Sequence, residues 1–178
     1  MPDHPTSPDD VAIVLGGRED LDRLAPLWLL VHEVHQQSAP QLGPWVDDKM
    51  TWRQKRALHE HCLSNPDSFL LLALRGEALV GYAMVMVEPD GAAFWNDSWV
   101  VGDKVAELES FAVVREEQGK GIGSRLLDAA EEELARRGVH DLVIGAVPGN
   151  PAVDFYQRRG FVPNCIFLSR FASRRRNG

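Results

Sequence analysis

No stretch of this sequence approaches the roughly 20 consecutive apolar residues that span a bilayer. The longest candidate, Phe69 to Leu74, is the length of a strand, so no membrane role is expected. Cysteine is scarce: Cys62 and Cys165 stand far apart with no CxxC pair. That spacing suggests neither a disulfide framework nor a zinc site and fits a reducing compartment. The first ten residues, rich in Pro and Asp, lack the basic start and apolar core of a secretory signal. A leader over 1–10 and a cytoplasmic location are expected. Positive charge is in deficit, with a formal net charge of −7. This disfavours a nucleic-acid surface and would draw a cationic ligand. His32-Glu33-Val34-His35 is one residue short of HExxH, and His59 and His61 diverge on a helix, so no metal is expected. Internal repeats and dividing linkers are missing as well. A chain of 178 residues then reads as one domain over 11–172, followed by a basic tail over 173–178.

What is present has a clear order. Val11 to Leu15 reads as a strand closed by Gly16-Gly17. Two helices follow, Asp20 to about Gln36, with Pro26 as a possible kink, and Lys49 to about Cys62 after a loop over 38–44. Phe69–Leu74 and Leu79–Glu88 suit an antiparallel hairpin across Arg75-Gly76-Glu77. Pro89 to Lys104 reads as a long excursion. Val105–Val114 is a strand, Ile122–Arg137 a strongly amphipathic helix stopped at Gly138, and Leu142–Val147 a buried strand. Asn150-Pro151 opens a helix through Arg159, and Phe161–Phe171 is expected to hold one or two more strands. The fold class is α/β with a mixed sheet.

The chemistry gathers around Gln118-Gly119-Lys120-Gly121-Ile122-Gly123, followed by Ser124, where a strand runs through a Gly-rich turn into a helix. Backbone N–H groups converge at such a turn, the helix dipole favours an anion, and Lys120 adds positive charge suited to a diphosphate. The dinucleotide fingerprint GxGxxG fails because Ser124 stands where the third glycine belongs, and the Walker pattern is absent.

The remaining pattern, QxxGxG after a strand, resembles the coenzyme A pyrophosphate loop of the GNAT superfamily of N-acetyltransferases. The resemblance extends to Leu108-Glu109-Ser110-Phe111-Ala112-Val113, which matches a strand of the form LExLxV. It extends also to Asn150, Ala152, Tyr156, Arg158 and Gly160-Phe161 in order, so that it covers about 107 to 161. It implies a central, mostly antiparallel sheet with two splayed strands, flanked by helices, and acetyl-coenzyme A as co-substrate. Residues 111–114 (Phe111, Ala112, Val113, Val114) would meet the pantetheine arm, their main-chain groups polarising the thioester carbonyl. Residues 118–124 would hold the pyrophosphate, and Asn150 the arm.

Transfer to an amine needs a base and a proton donor for the departing sulfur. Glu109 and Glu107, two apart on one strand face, are the candidate bases. The resemblance gives Tyr156 the role of acid. The acceptor, a small-molecule or peptide amine, is not legible, and a homodimer is possible. The alternative reading is a coenzyme A-binding sensor or interaction module on the same fold without transfer. Trp45, Trp52, Trp95 and Trp99 fall where the family builds its acceptor pocket.

Overall fold

The computed structural model describes residues 10–88 and 100–170, and among these five strands form one sheet in sequence order. β1 (Val11–Gly16), β2 (Phe69–Arg75), β3 (Ala78–Glu88) and β4 (Val105–Val113) pair antiparallel, whereas β5 (Asp141–Val143) joins β4 in parallel. The β2–β3 hairpin turns at Gly76, whose φ of 58° lies in the left-handed region. The excursion expected over 89–104 falls outside the described residues up to 99, and 100–104 carry neither helix nor strand.

Helices cover both faces, which explains why β2 reads as an unbroken apolar run rather than an alternating one. One face carries α1 (Ala25–Ser38) and α2 (Asp48–Cys62). There Leu70, Leu72, Tyr82 and Met84 pack on Leu21, Leu24 and Leu27. The other face carries α3 (Ile122–Arg136) and α4 (Ala152–Arg158). There Leu71, Val85 and Leu108 pack on Ile122, Leu126 and Leu127. Leu126 and Leu127 are fully buried, and each contributes about 2 kcal/mol by leaving water.

Several boundaries differ from the sequence reading, each for a local reason. The first helical stretch is a 3-10 helix over Arg18–Leu24 that passes into α1, with Pro26 in the first turn of α1, where its missing N–H costs nothing. Within the expected loop over 38–44, Pro40–Leu42 form a further 3-10 turn. β5 stops at Val143 rather than Val147, because 144–147 leave β4 and have no neighbouring strand to pair with. The strands expected over Phe161–Phe171 are not formed within 161–170. Pro163 removes a ladder donor there, and Val162, Ile166 and Leu168 stand more than three-quarters exposed. Phe171 lies outside the described residues.

Candidate active site

β4 positions most of the chemistry, and a single irregularity in it decides which way each side chain faces. Val85 pairs with Leu108 and Met84 with Ser110, so Glu109 is the extra residue of a β-bulge. Before the bulge, Ala106 and Leu108 face the α3 side. After it, Phe111 and Val113 face that side, while Ala112 joins the α1–α2 side. Glu107, opposite Met86, shares the α1–α2 face with Glu109 and Ser110, which meet α2 directly.

α2 brings two basic groups to this face. The Lys55 ammonium hydrogen-bonds to Glu109 Oε1 and lies 4.1 Å from the centre of the Trp28 ring. The His59 ring, wholly buried, places Nε2 at 2.9 Å from Glu109 Oε2 and 2.8 Å from Ser110 Oγ. Its Nδ1 is buried without a partner among the described residues, and the Tyr82 ring packs edge-on against it. Neither Lys55 nor His59 was marked as functional by the sequence.

These contacts drive the two glutamates apart. Burial acts to raise the Glu109 carboxyl, but the His59 hydrogen bond together with the charge and hydrogen bond of Lys55 outweighs it and holds the group at about 2. Glu107 moves the other way: burial pushes its carboxyl up, and the charge of Glu109 adds to this against Lys55. Two like groups on one strand face therefore differ in proton affinity, a separation typical of sites that need both an acid–base group and a fixed charge.

Past Glu107 the outer edge of β4 has no strand beside it among the described residues, because β5 pairs only with Val105, Ala106 and Glu107. The N–H of Val114 donates to the Val80 carbonyl at 2.9 Å, so by alternation Ala112 also turns its main chain toward β3. Phe111 and Val113 then turn theirs toward the open edge. The Val113 carbonyl accepts from Gln118 Nε2 at 2.9 Å, which leaves the Phe111 peptide groups and the Val113 N–H facing the gap.

At the end of this edge, Gly119 (φ 78°) and Gly121 (φ 81°) take left-handed conformations that lead into α3. No side chain caps α3, so the N–H groups of Ile122, Gly123 and Ser124 are those that a helix leaves without an internal acceptor. Gly123 is under no such demand; a Cβ there would sit in ordinary contact with Phe111. Lys120 lies 3.3 Å from Glu117, which also binds Arg75 at 2.7 Å.

Tyr156 projects from α4 into an aromatic cage, its ring centre 6.3 Å from Phe111, 5.3 Å from Phe155 and 5.7 Å from Phe161. Burial pushes its hydroxyl well above the ordinary tyrosine range. Asn150 holds the start of α4, its Oδ1 accepting the Ala152 N–H at 2.9 Å.

Next to Glu107, a cavity of about 980 Å³ opens between the ends of β3 and β4, the chain over 143–151, the first turn of α4 and the segment 164–167. Trp45 and Trp52 do not line it; Trp45 stacks edge-on against His32 and Trp52 packs against the α1–α2 core. Trp95 and Trp99 lie outside the described residues. No group of three His, Cys, Asp or Glu side chains able to hold a metal occurs among the described residues. No helix of the described residues is long and apolar enough to cross a membrane.

The fold recurs in solved structures. A putative acetyl transferase from Pyrococcus furiosus is 23% identical, with 90% of this chain and 99% of that one covered and a TM-score of 0.65. A GCN5-related N-acetyltransferase from Ralstonia eutropha is 19% identical, with 92% and 99% covered and a TM-score of 0.71. An aminoglycoside N-acetyltransferase in complex with coenzyme A is 16% identical, with 92% and 95% covered and a TM-score of 0.65. These likenesses concern the fold. At the level of sequence, the model of the acetyltransferase (GNAT) family matches residues 28–161, a span that takes in most of α1 and the whole of α2, β4, the glycine turn and α4. This chain belongs to the acetyltransferase (GNAT) family.

Proposed function

We propose that the protein moves an acetyl group from acetyl-coenzyme A to a primary amine by direct transfer. The observation that carries this reading is the bare edge of β4 beyond Glu107, which runs straight into the uncapped N-terminus of α3. An extended chain ending in a diphosphate fits such a groove. Main-chain groups of Phe111 and Val113 would pair with the pantetheine arm as a strand does, and residues 118–124 would receive the pyrophosphate on N–H groups and the helix dipole. Asn150 would bond the arm from the start of α4, Ala112 would sit beside the arm without a main-chain bond to it because its peptide groups turn toward β3, and Lys120 would supply positive charge at the phosphate end. Membership in the family and the coenzyme A complex of a protein of this fold support the choice of ligand.

The thioester supplies the activated acetyl group; the chain's own residues move the protons. An amine arrives protonated at neutral pH and must lose a proton before it can attack. Glu107 suits that task, because burial and the neighbouring Glu109 charge raise its affinity for a proton. Glu109 serves as the fixed negative charge, clamped by Lys55 and His59. Tyr156, whose hydroxyl burial keeps protonated, donates a proton toward the departing sulfur. The test is release of free coenzyme A thiol from acetyl-coenzyme A across a panel of amines. Turnover with at least one primary amine is expected. Tight cofactor binding with no thiol released from any amine would instead make the protein a coenzyme A sensor.

A further inference from the structure

The cavity beside Glu107 has a charge pattern that bears on which amine enters it, given the transferase reading above. Three carboxylate residues line it beside the Cys165 thiol: Glu88 at the end of β3, Glu107 on β4, and Asp154 in the first turn of α4. No Lys, Arg or His lines it among the described residues. Elsewhere the more enclosed carboxylates of Glu109, Glu117 and Glu133 each hold a Lys or Arg. The three cavity carboxylates form no ion pair and no hydrogen bond among the described residues. A concave wall concentrates the field of uncompensated charges and so raises the local concentration of cations.

One ammonium group cannot satisfy this wall. Glu107 stands opposite Met86, and Glu88 is two residues further along β3, so the two glutamates form a diagonal cross-strand pair separated by roughly 7 Å. Asp154 lines the cavity from a different element, the first turn of α4. An amine whose reacting nitrogen meets Glu107 leaves both other carboxylates without a counter-charge. We propose that the acceptor is an amine carrying at least one further positive charge, held by Glu88 and Asp154 while its reacting nitrogen meets Glu107. A volume of about 980 Å³ accommodates such an extended molecule. An amine whose far end is a carboxylate, as in an amino acid, is disfavoured by the same two residues.

A matched series of equal chain length tests this: 1,6-diaminohexane, hexylamine and 6-aminohexanoate carry +1, 0 and −1 at the far end. Thiol release gives kcat/KM for each, and calorimetry gives Kd for each on the protein loaded with coenzyme A. The diamine should exceed hexylamine roughly 10-fold, with 6-aminohexanoate lowest, and the spread should narrow in high salt. Asp154→Asn and Glu88→Gln should each cut the advantage of the diamine over hexylamine roughly 3- to 10-fold. Equal values for diamine and hexylamine, or an advantage that survives both substitutions, would overturn the assignment while leaving acetyl transfer intact. If no amine is turned over, the same order in Kd still supports it and a flat order overturns it. Failure of acetyl-coenzyme A itself to stabilise the protein would identify the transferase reading as the part at fault.

Discussion

Replacing Glu109 with Gln removes one charge from a nearly dry cluster while keeping the shape of the side chain. The carboxyl has an ordinary value of 4.5 and is held at about 2 in the fold, so its ionised form is worth roughly 3 kcal/mol of stability. Because the folded value is depressed, that contribution is complete above about pH 5 and fades as pH falls toward 2. The substitution also strands Lys55, whose side chain is only 13% exposed, without its counter-charge. Urea unfolding at pH 7 should show Glu109→Gln destabilised by about 3 kcal/mol, with the gap from the native protein closing as pH is lowered from 5 toward 2. Adding Lys55→Met should recover much of the loss, since an apolar residue there removes the stranded charge. In the pH–rate profile, loss of the Glu109 charge should move the acidic limb to lower pH, because Glu107 is raised in part by that charge. A gap that stays constant with pH would refute the depressed carboxyl. Disappearance of the acidic limb would make Glu109 itself the base.

Three further outcomes are expected. Tyr156→Phe keeps the ring among Phe111, Phe155 and Phe161 and removes only the hydroxyl. Turnover should fall on the order of 10²- to 10⁴-fold with little change in acetyl-coenzyme A affinity by calorimetry; a native rate would make it a packing residue. Glu107→Gln should lower kcat/KM on the order of 10²-fold and remove the acidic limb, with the unfolding midpoint nearly unchanged. Gly121→Ala forces a side chain into a left-handed conformation at a cost of about 1–2 kcal/mol. The free turn relieves that strain by leaving the left-handed region and must regain it to meet the phosphate, so acetyl-coenzyme A should bind roughly 5- to 30-fold more weakly; unaltered affinity would detach this turn from the phosphate.

How much of this was legible in the sequence depended on how local the determinants are. The turn 118–123 and α3 were readable because glycine placement and a 3.6-residue apolar stripe act within about 20 residues. The bulge was harder. Its trace is the consecutive polar pair Glu109-Ser110 between buried Leu108 and half-buried Phe111, a break in alternation that the reading of a regular strand passed over. Lys55 and His59 were missed because their partner lies 50 or more residues away. A signal did exist: Thr51, Lys55, His59 and Cys62 recur at helical spacing, which puts a Lys and a His on the buried stripe of α2. The segment 161–170 misled because its apolar content suits a strand, whereas a strand also needs a neighbour, and 144–147 offer none. Glu88 and Asp154 drew no attention as isolated acids. Their meaning comes only from the cavity they share.

Acetyl-coenzyme A as the bound ligand is the claim on which the rest stands, and a titration of thermal stability tests it directly. A ligand held by the folded state at 100 times its Kd adds about 2.7 kcal/mol. For a chain of this size that raises the melting temperature by roughly 5–10 °C. Acetyl-coenzyme A should produce such a rise, growing with the logarithm of its concentration, and NAD should produce none. A rise with NAD and none with acetyl-coenzyme A would contradict the assignment of the β4 edge and the α3 N-terminus to coenzyme A.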